Sequence, residues 1–153
     1  MPTKVKIKIT DNVDLRIQLD RLYDKASDIQ LCEYGIAICN RVWSETSFDN
    51  ATNEAIRQAV NLNLSWQRGE IDIQSVRRAC FKIHAFAKTN DNILDKTSLR
   101  VIGQALATAH MREHAMVASD YAIKLCNLRT DCNYTAERLW QIETLQKVLR
   151  TTI

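Results

Sequence analysis

Glycine and proline are scarce in this chain of 153 residues, which has three glycines and a single proline, Pro2. Tight turns depend on such residues, so an all-β sandwich or barrel and a doubly wound fold with glycine-rich loops are both poor candidates. No apolar stretch approaches the roughly 20 residues that span a bilayer, and no membrane partner is expected. The segment from Met1 to Thr10 carries positive charge but no apolar stretch follows it, so it does not read as a secretory leader. No C-x-x-C pair occurs among the five cysteines, Cys32, Cys39, Cys80, Cys126 and Cys132. An odd number, three of them on apolar helical stripes, reads as reduced, buried thiols in a cytoplasm. A strong excess of charge of one sign is missing too. Residues 1–76 carry nine Lys/Arg against eleven Asp/Glu, residues 77–153 carry twelve against seven, and the whole is +3. No basic run interleaves with aromatics, so no nucleic-acid partner is expected. G-x-S-x-G, P-loop and G-x-G-x-x-G motifs are absent, and nothing here rises to an enzyme.

What the chain does have is an ordinary globular composition, 46% hydrophobic and 25% charged. Its length is that of one domain spanning residues 1–153, able to bury roughly 68–70% of its unfolded surface without a staple. Lys4 to Thr10 alternates lysine with Val5, Ile7 and Ile9. A lone strand would have no partner, so this stretch reads as an extended arm over residues 1–12, laid on a helical core. The same arm leaves room for a homo-oligomer, by pairing with its copy.

From Asp14 to Arg150 the apolar period is helical. Asp14 is the expected N-cap of Leu15–Lys25, with Leu15, Leu19 and Leu22 on one side. Ser27 caps a helix whose stripe is Ile29, Cys32, Ile36, Cys39 and Trp43. Asn50 or Thr52 opens the next, which Gly69 ends as a C′ glycine. Asp72 caps a fourth, with Ile73, Val76, Cys80, Ile83 and Ala87 on one stripe, and Thr89–Asn92 breaks it. Residues 95–128 form one long helix or two, and Gly103 within them marks a close helix crossing. Thr130–Asn133 is a loop. Tyr134–Arg150 is the last helix, with Leu139, Ile142, Leu145 and Leu149 facing in. The expected fold is all-α, an antiparallel bundle or orthogonal array of six to seven helices.

His110-Met-Arg-Glu-His114 is the sharpest chemical pattern. Two histidines four apart on a continuous helix share a face and can reach one metal ion. The H-x-x-E-H order is also that of inverzincin metalloproteases, with Glu113 in the place of the general base. A third ligand must come from elsewhere, and a tetrahedral zinc site can be drawn from Cys80, His84, His110 and His114. Against this, histidines near an apolar face are usually boundary residues with a hydrogen-bond partner, and no substrate-cradling segment supports a protease. Cys80 on its stripe reads as a buried, unreactive thiol. No cofactor is expected, and zinc is the ion the cluster would take if it took one. Arg68, Arg77, Arg78 and Lys82 form either a small basic surface or a solvated helix face. Trp66 is expected in the core and Trp140 at its edge.

Several segments taken together resemble a known family. They are Trp66-Gln-Arg-Gly-Glu-Ile71, Arg77-Arg-Ala-Cys-Phe-Lys-Ile-His-Ala85, Gly103-Gln-Ala-Leu-Ala-Thr-Ala-His110, His114-Ala, Tyr121-Ala-Ile-Lys124 and Glu137-Arg-Leu-Trp-Gln141. In this order and spacing they resemble the small all-helical immunity proteins of bacterial polymorphic-toxin systems, the immunity-protein-five-like group. The resemblance implies a cytoplasmic, non-enzymatic protein that binds a cognate toxin. His84, His110 and His114 stand at histidine positions of that pattern. Members often carry proline at the place of Arg112, as the first residue of a new helix, which implies a helix break between His110 and His114. The partner-binding residues are not implied.

Overall fold

A computed structural model describes residues 2–151, and in it the chain after the arm is a series of helices joined by short connections. The helices are α1 (Val13–Lys25), α2 (Asp28–Ser44), α3 (Asn50–Gln67), α4 (Ile73–Thr89), α5 (Ile93–Leu106), α6 (His114–Leu128) and α7 (Tyr134–Thr151), with a 3-10 turn at Ala107–Ala109. No strand occurs among the described residues. The alternating N-terminal segment is an arm, tied to α1 by Thr3 and to α6 by Thr10, whose N–H and C=O both meet the side chain of Asn127.

Local chemistry sets the helix ends. Ser27 and Gln30 form a reciprocal capping box at α2, and Asp72 accepts the Ser75 N–H at α4. Gly69 adopts φ +75 after α3. Its N–H bonds to Trp66 and that of Glu70 to Ser65, the paired bonds of a left-handed helix stop. Two starts fall earlier than the sequence suggested. Asn12 caps α1, placing Asp14 in the first turn, and Asp49 caps α3. In each case a side-chain oxygen one to three residues upstream reaches the orphan N–H first.

α5 is the central helix, packed against α2, α4 and α6. Leu99, Val101, Ile102, Ala105 and Leu106 on it are wholly buried. Two glycines permit the approach. A Cβ at Gly35 of α2 would collide with the Ala105 carbonyl, and one at Gly103 of α5 would sit 2.7 Å from the His84 ring. The crossing expected at Gly103 is therefore present, and its partner is α4.

Some faces differ from the apolar stripes. On α2 the buried set is Leu31, Cys32, Tyr34, Gly35, Ile38, Cys39 and Val42, and Ile29 is exposed. On α7, Leu139 is 43% exposed, while Arg138, Gln141, Ile142 and Leu145 are buried. Arg138 turns inward because it is fully paired there. Its guanidinium donates to Asp11 (Nε to Oδ1 3.0 Å, Nη2 to Oδ2 2.7 Å), to Asp120 at 2.8 Å and to Gln141 at 2.9 Å. Asp120 also receives Arg16, through Nε at 2.9 Å and Nη2 at 3.2 Å. Arg16 pairs in turn with Asp20, which Thr3 of the arm engages through both its backbone N–H and its hydroxyl. Gln141 donates to the Ser119 carbonyl. Burial pulls the pKa of Arg138 down, but its bonds and charge pairing with Asp11 and Asp120 outweigh that and leave it raised. The arm, α1, α6 and α7 are thus locked by one satisfied ionic network.

The cysteines divide into two groups. Cys32, Cys39 and Cys80 are free and buried, and burial pushes each thiol up to about 12. Cys126 and Cys132 form a disulfide, which corrects the expectation that all five are reduced. The loop after α6 doubles back, bringing their Cα atoms to 5.2 Å, within bonding reach.

Candidate functional site

On α4, Arg77, Cys80, Phe81 and His84 are spaced three, four and seven residues from the first, so they share one face. That face meets Gln104 of α5, Ala107 and His110 of the connection, and His114 at the start of α6. Together they enclose a cleft of about 210 Å³. All four residues of the sequence-derived constellation, Cys80, His84, His110 and His114, therefore border one space.

They do not border it as a continuous helix would arrange them. α5 ends at Leu106, the 3-10 turn carries the chain to Ala109, and α6 starts at His114. The break falls between the two histidines, where the family resemblance put it. Their rings still stack, with centroids 6.2 Å apart. Among the described residues, no group of three or more His, Cys, Asp or Glu side chains is placed to hold a metal ion. The nitrogens have other work. Arg100 lies 2.9 Å from His84 Nδ1. A guanidinium only donates, so Nδ1 accepts and the ring proton sits on Nε2, the edge that lies over Gly103. Gln104 Oε1 lies 2.6 Å from His114 Nδ1, where Nδ1–H donates to the amide oxygen and Nε2 keeps its lone pair.

Electrostatically the cleft disfavours further positive charge on its rings. Burial, the Arg100 charge and His114 push His84 down to about 4. Burial and His110 also lower His114, with Glu113 opposing and Lys6 assisting. Both rings are neutral at neutral pH. Cys80, pushed up to about 12 by burial, carries no thiolate for nucleophilic work. Arg77 stacks over Phe81, 5.3 Å from the ring centroid, and its Nε–H is buried with no hydrogen-bond partner. Such a group costs about 1–3 kcal/mol while it stays unpaired. The cleft thus offers donors from Arg77 and His84, an adaptable ring at His114, and no acid in its lining among the described residues. Arg77, Arg100 and Gln104 are the members that sequence reasoning did not place here. Gly103, beside Gln104, carried the usable signal, since it marked where another helix comes close.

The other sequence candidates disperse. Arg68 pairs with Glu70. Arg78 and Lys82 line a separate open groove with Gln58 and Ser75, while Arg77 turns to the histidine cleft. The four basic residues make no single surface. Trp66 is partly buried against the core, and Trp140 lies under Arg41 at 4.1 Å. No helix among the described residues is long and apolar enough to cross a membrane.

No curated protein and no solved structure matches the chain. One family model does match, over residues 21–148, from the second half of α1 into α7. That span holds the histidine cleft as well as Asp120 and Arg138 of the ionic network. The chain belongs to the family described as Imm-5 like putative immunity protein.

Proposed function

We propose that the protein neutralises a cognate bacterial toxin by binding it directly in the cytoplasm, without catalysis and without a cofactor. Family membership across residues 21–148 is the observation that carries this reading. The build of the chain agrees with it. An array of helices around one closely packed cluster presents fixed side chains to a partner at little ordering cost. The free thiols are buried and protonated, which removes the most reactive nucleophiles from chemistry. A charge of +3 is unlike the acidic surfaces with which proteins imitate nucleic acid, so a nuclease target gains no support.

Co-expression provides the test. The toxin domain encoded beside this chain is induced in a heterologous host, with and without the chain. Growth restored by the wild-type chain, with stoichiometric recovery of the pair, is the expected result. Loss of viability despite a folded chain, and no complex on co-purification, overturns the reading.

A further inference from the structure

We propose that the cleft bordered by Arg77, His84 and His114 is the part of the docking face that receives a single acidic side chain, an aspartate or glutamate, from the toxin. This rests on the toxin-binding reading above and specifies where and by what chemistry the toxin is gripped.

Four observations converge on a carboxylate. Arg77 Nε–H is sealed in the fold with no acceptor. That nitrogen has no accessible surface, so it gains an acceptor only if the guanidinium, which lines the cleft, shifts to meet one. His84 is fixed by Arg100 with its proton on Nε2, a second donor from the same helix face. The surroundings are one-sided in charge. The charged and titratable groups facing the rings are Arg77 and Cys80 from α4, Arg100 from α5, His110 and Glu113 from the connection, and Lys6 from the arm. Glu113 is the one acid whose charge reaches His114, and it lines the neighbouring groove under the arm. Finally, the rim is apolar and exposed. Phe81, which lines the cleft, is 57% exposed. A polar floor inside an exposed apolar rim is the build of an interface anchor, in which the rim excludes water from a charged contact.

His114 adds a condition. Its Nδ1–H is committed to Gln104, so its Nε2 donates to a carboxylate only when the ring is protonated. An acidic occupant favours that protonation, and complex formation takes up a proton. Binding is therefore tighter at about pH 6 than at about pH 8.

The test uses the full chain and the toxin domain that co-purifies with it, with calorimetric binding of wild type, Arg77→Ala, Arg77→Gln and His114→Phe. Each variant is first checked for an unchanged thermal transition. The expected result is a loss of about tenfold or more for the Arg77 variants. For His114→Phe it is loss of the pH dependence. On the toxin, Asp→Asn and Glu→Gln substitutions should identify one acid whose loss is not additive with Arg77→Ala. This toxin-side scan needs only the wild-type chain, so it decides the matter even where a variant fails to fold. Arg77 variants that bind like wild type, or a scan in which no acid matters, overturn the cleft and leave the immunity reading standing. A wild-type chain that captures no toxin and rescues no cells overturns both.

Discussion

Arg138 and Arg77 are the same side chain in two regions built on opposite terms. Arg138, at 0% exposure, donates to two aspartates and a glutamine, and each partner is anchored by further bonds. Arg77, on α4, borders a cleft with its Nε–H unpaired and its guanidinium over an exposed phenylalanine. In the first region every guanidinium nitrogen of Arg138 is engaged, and the network holds the arm, α1, α6 and α7 together. In the second, donors are held in place by packing and left unspent. A buried charge whose pairing is complete belongs to the fold. One whose pairing is incomplete, at a cleft, is available to a partner.

Breaking the closed region has the largest expected effect. Arg138→Ala leaves Asp11 without a cation and Asp120 with Arg16 alone, and should cost about 3–5 kcal/mol. Urea denaturation followed by circular dichroism measures it, and a loss under about 1 kcal/mol would show that water replaces the guanidinium freely. The helix crossings come next. Gly35→Ala and Gly103→Ala should each cost about 1–3 kcal/mol through overpacking. Gly35→Ala is the worse, because the Ala105 carbonyl is backbone and cannot step aside as the His84 ring can. Equal losses at the two sites would mean that Arg100 holds the ring as rigidly as backbone.

Acid gives a smaller, graded effect. Unfolded, His84 takes a proton near 6.5, and folded it does so only near about 4. Between those values the unfolded chain holds the extra proton, so the stability present above 6.5 declines as pH falls toward 4. Nuclear magnetic resonance of the ring carbons should show His84 titrating well below the ordinary histidine range, and Arg100→Gln should bring it upward. The smallest effect sharpens the contrast directly. Arg77→Leu removes an unpaired donor and keeps the apolar stem, so stability should change by less than about 0.5 kcal/mol or rise slightly. A loss comparable to that of Arg138→Ala would erase the distinction between the regions.

Much of the fold was legible in residues whose chemistry is local. Ser27, Asp72 and Gly69 mark helix ends through bonds made within a few residues, and all three stand where their side chains or backbone freedom are needed. Gly103 announced a close crossing. What stayed hidden depended on distant partners. The apolar pattern of the last helix points Leu139 inward, because the sequence does not show that Asp11 and Asp120 draw Arg138 into the core instead. The Cys126–Cys132 bond was missed for a related reason, since the count of cysteines says nothing about how tightly the loop between α6 and α7 turns. At the cleft, the histidines and Cys80 were legible by type, but Arg100, which fixes the His84 tautomer, arrives from another helix.

The ionic network also has a place in time. Asp11 and Arg138 are 127 residues apart in sequence, and Arg16 and Asp120 are 104 apart. The contacts of α5 with α4 and α6 join neighbours along the chain. Closing a long loop costs more entropy than closing a short one, so the central helices meet first and the network latches late. Stopped-flow measurements on Arg138→Ala should then show an unfolding rate that rises steeply while the folding rate hardly moves. The network would in that case set how long the folded molecule lasts, leaving its speed of formation to the helices around α5.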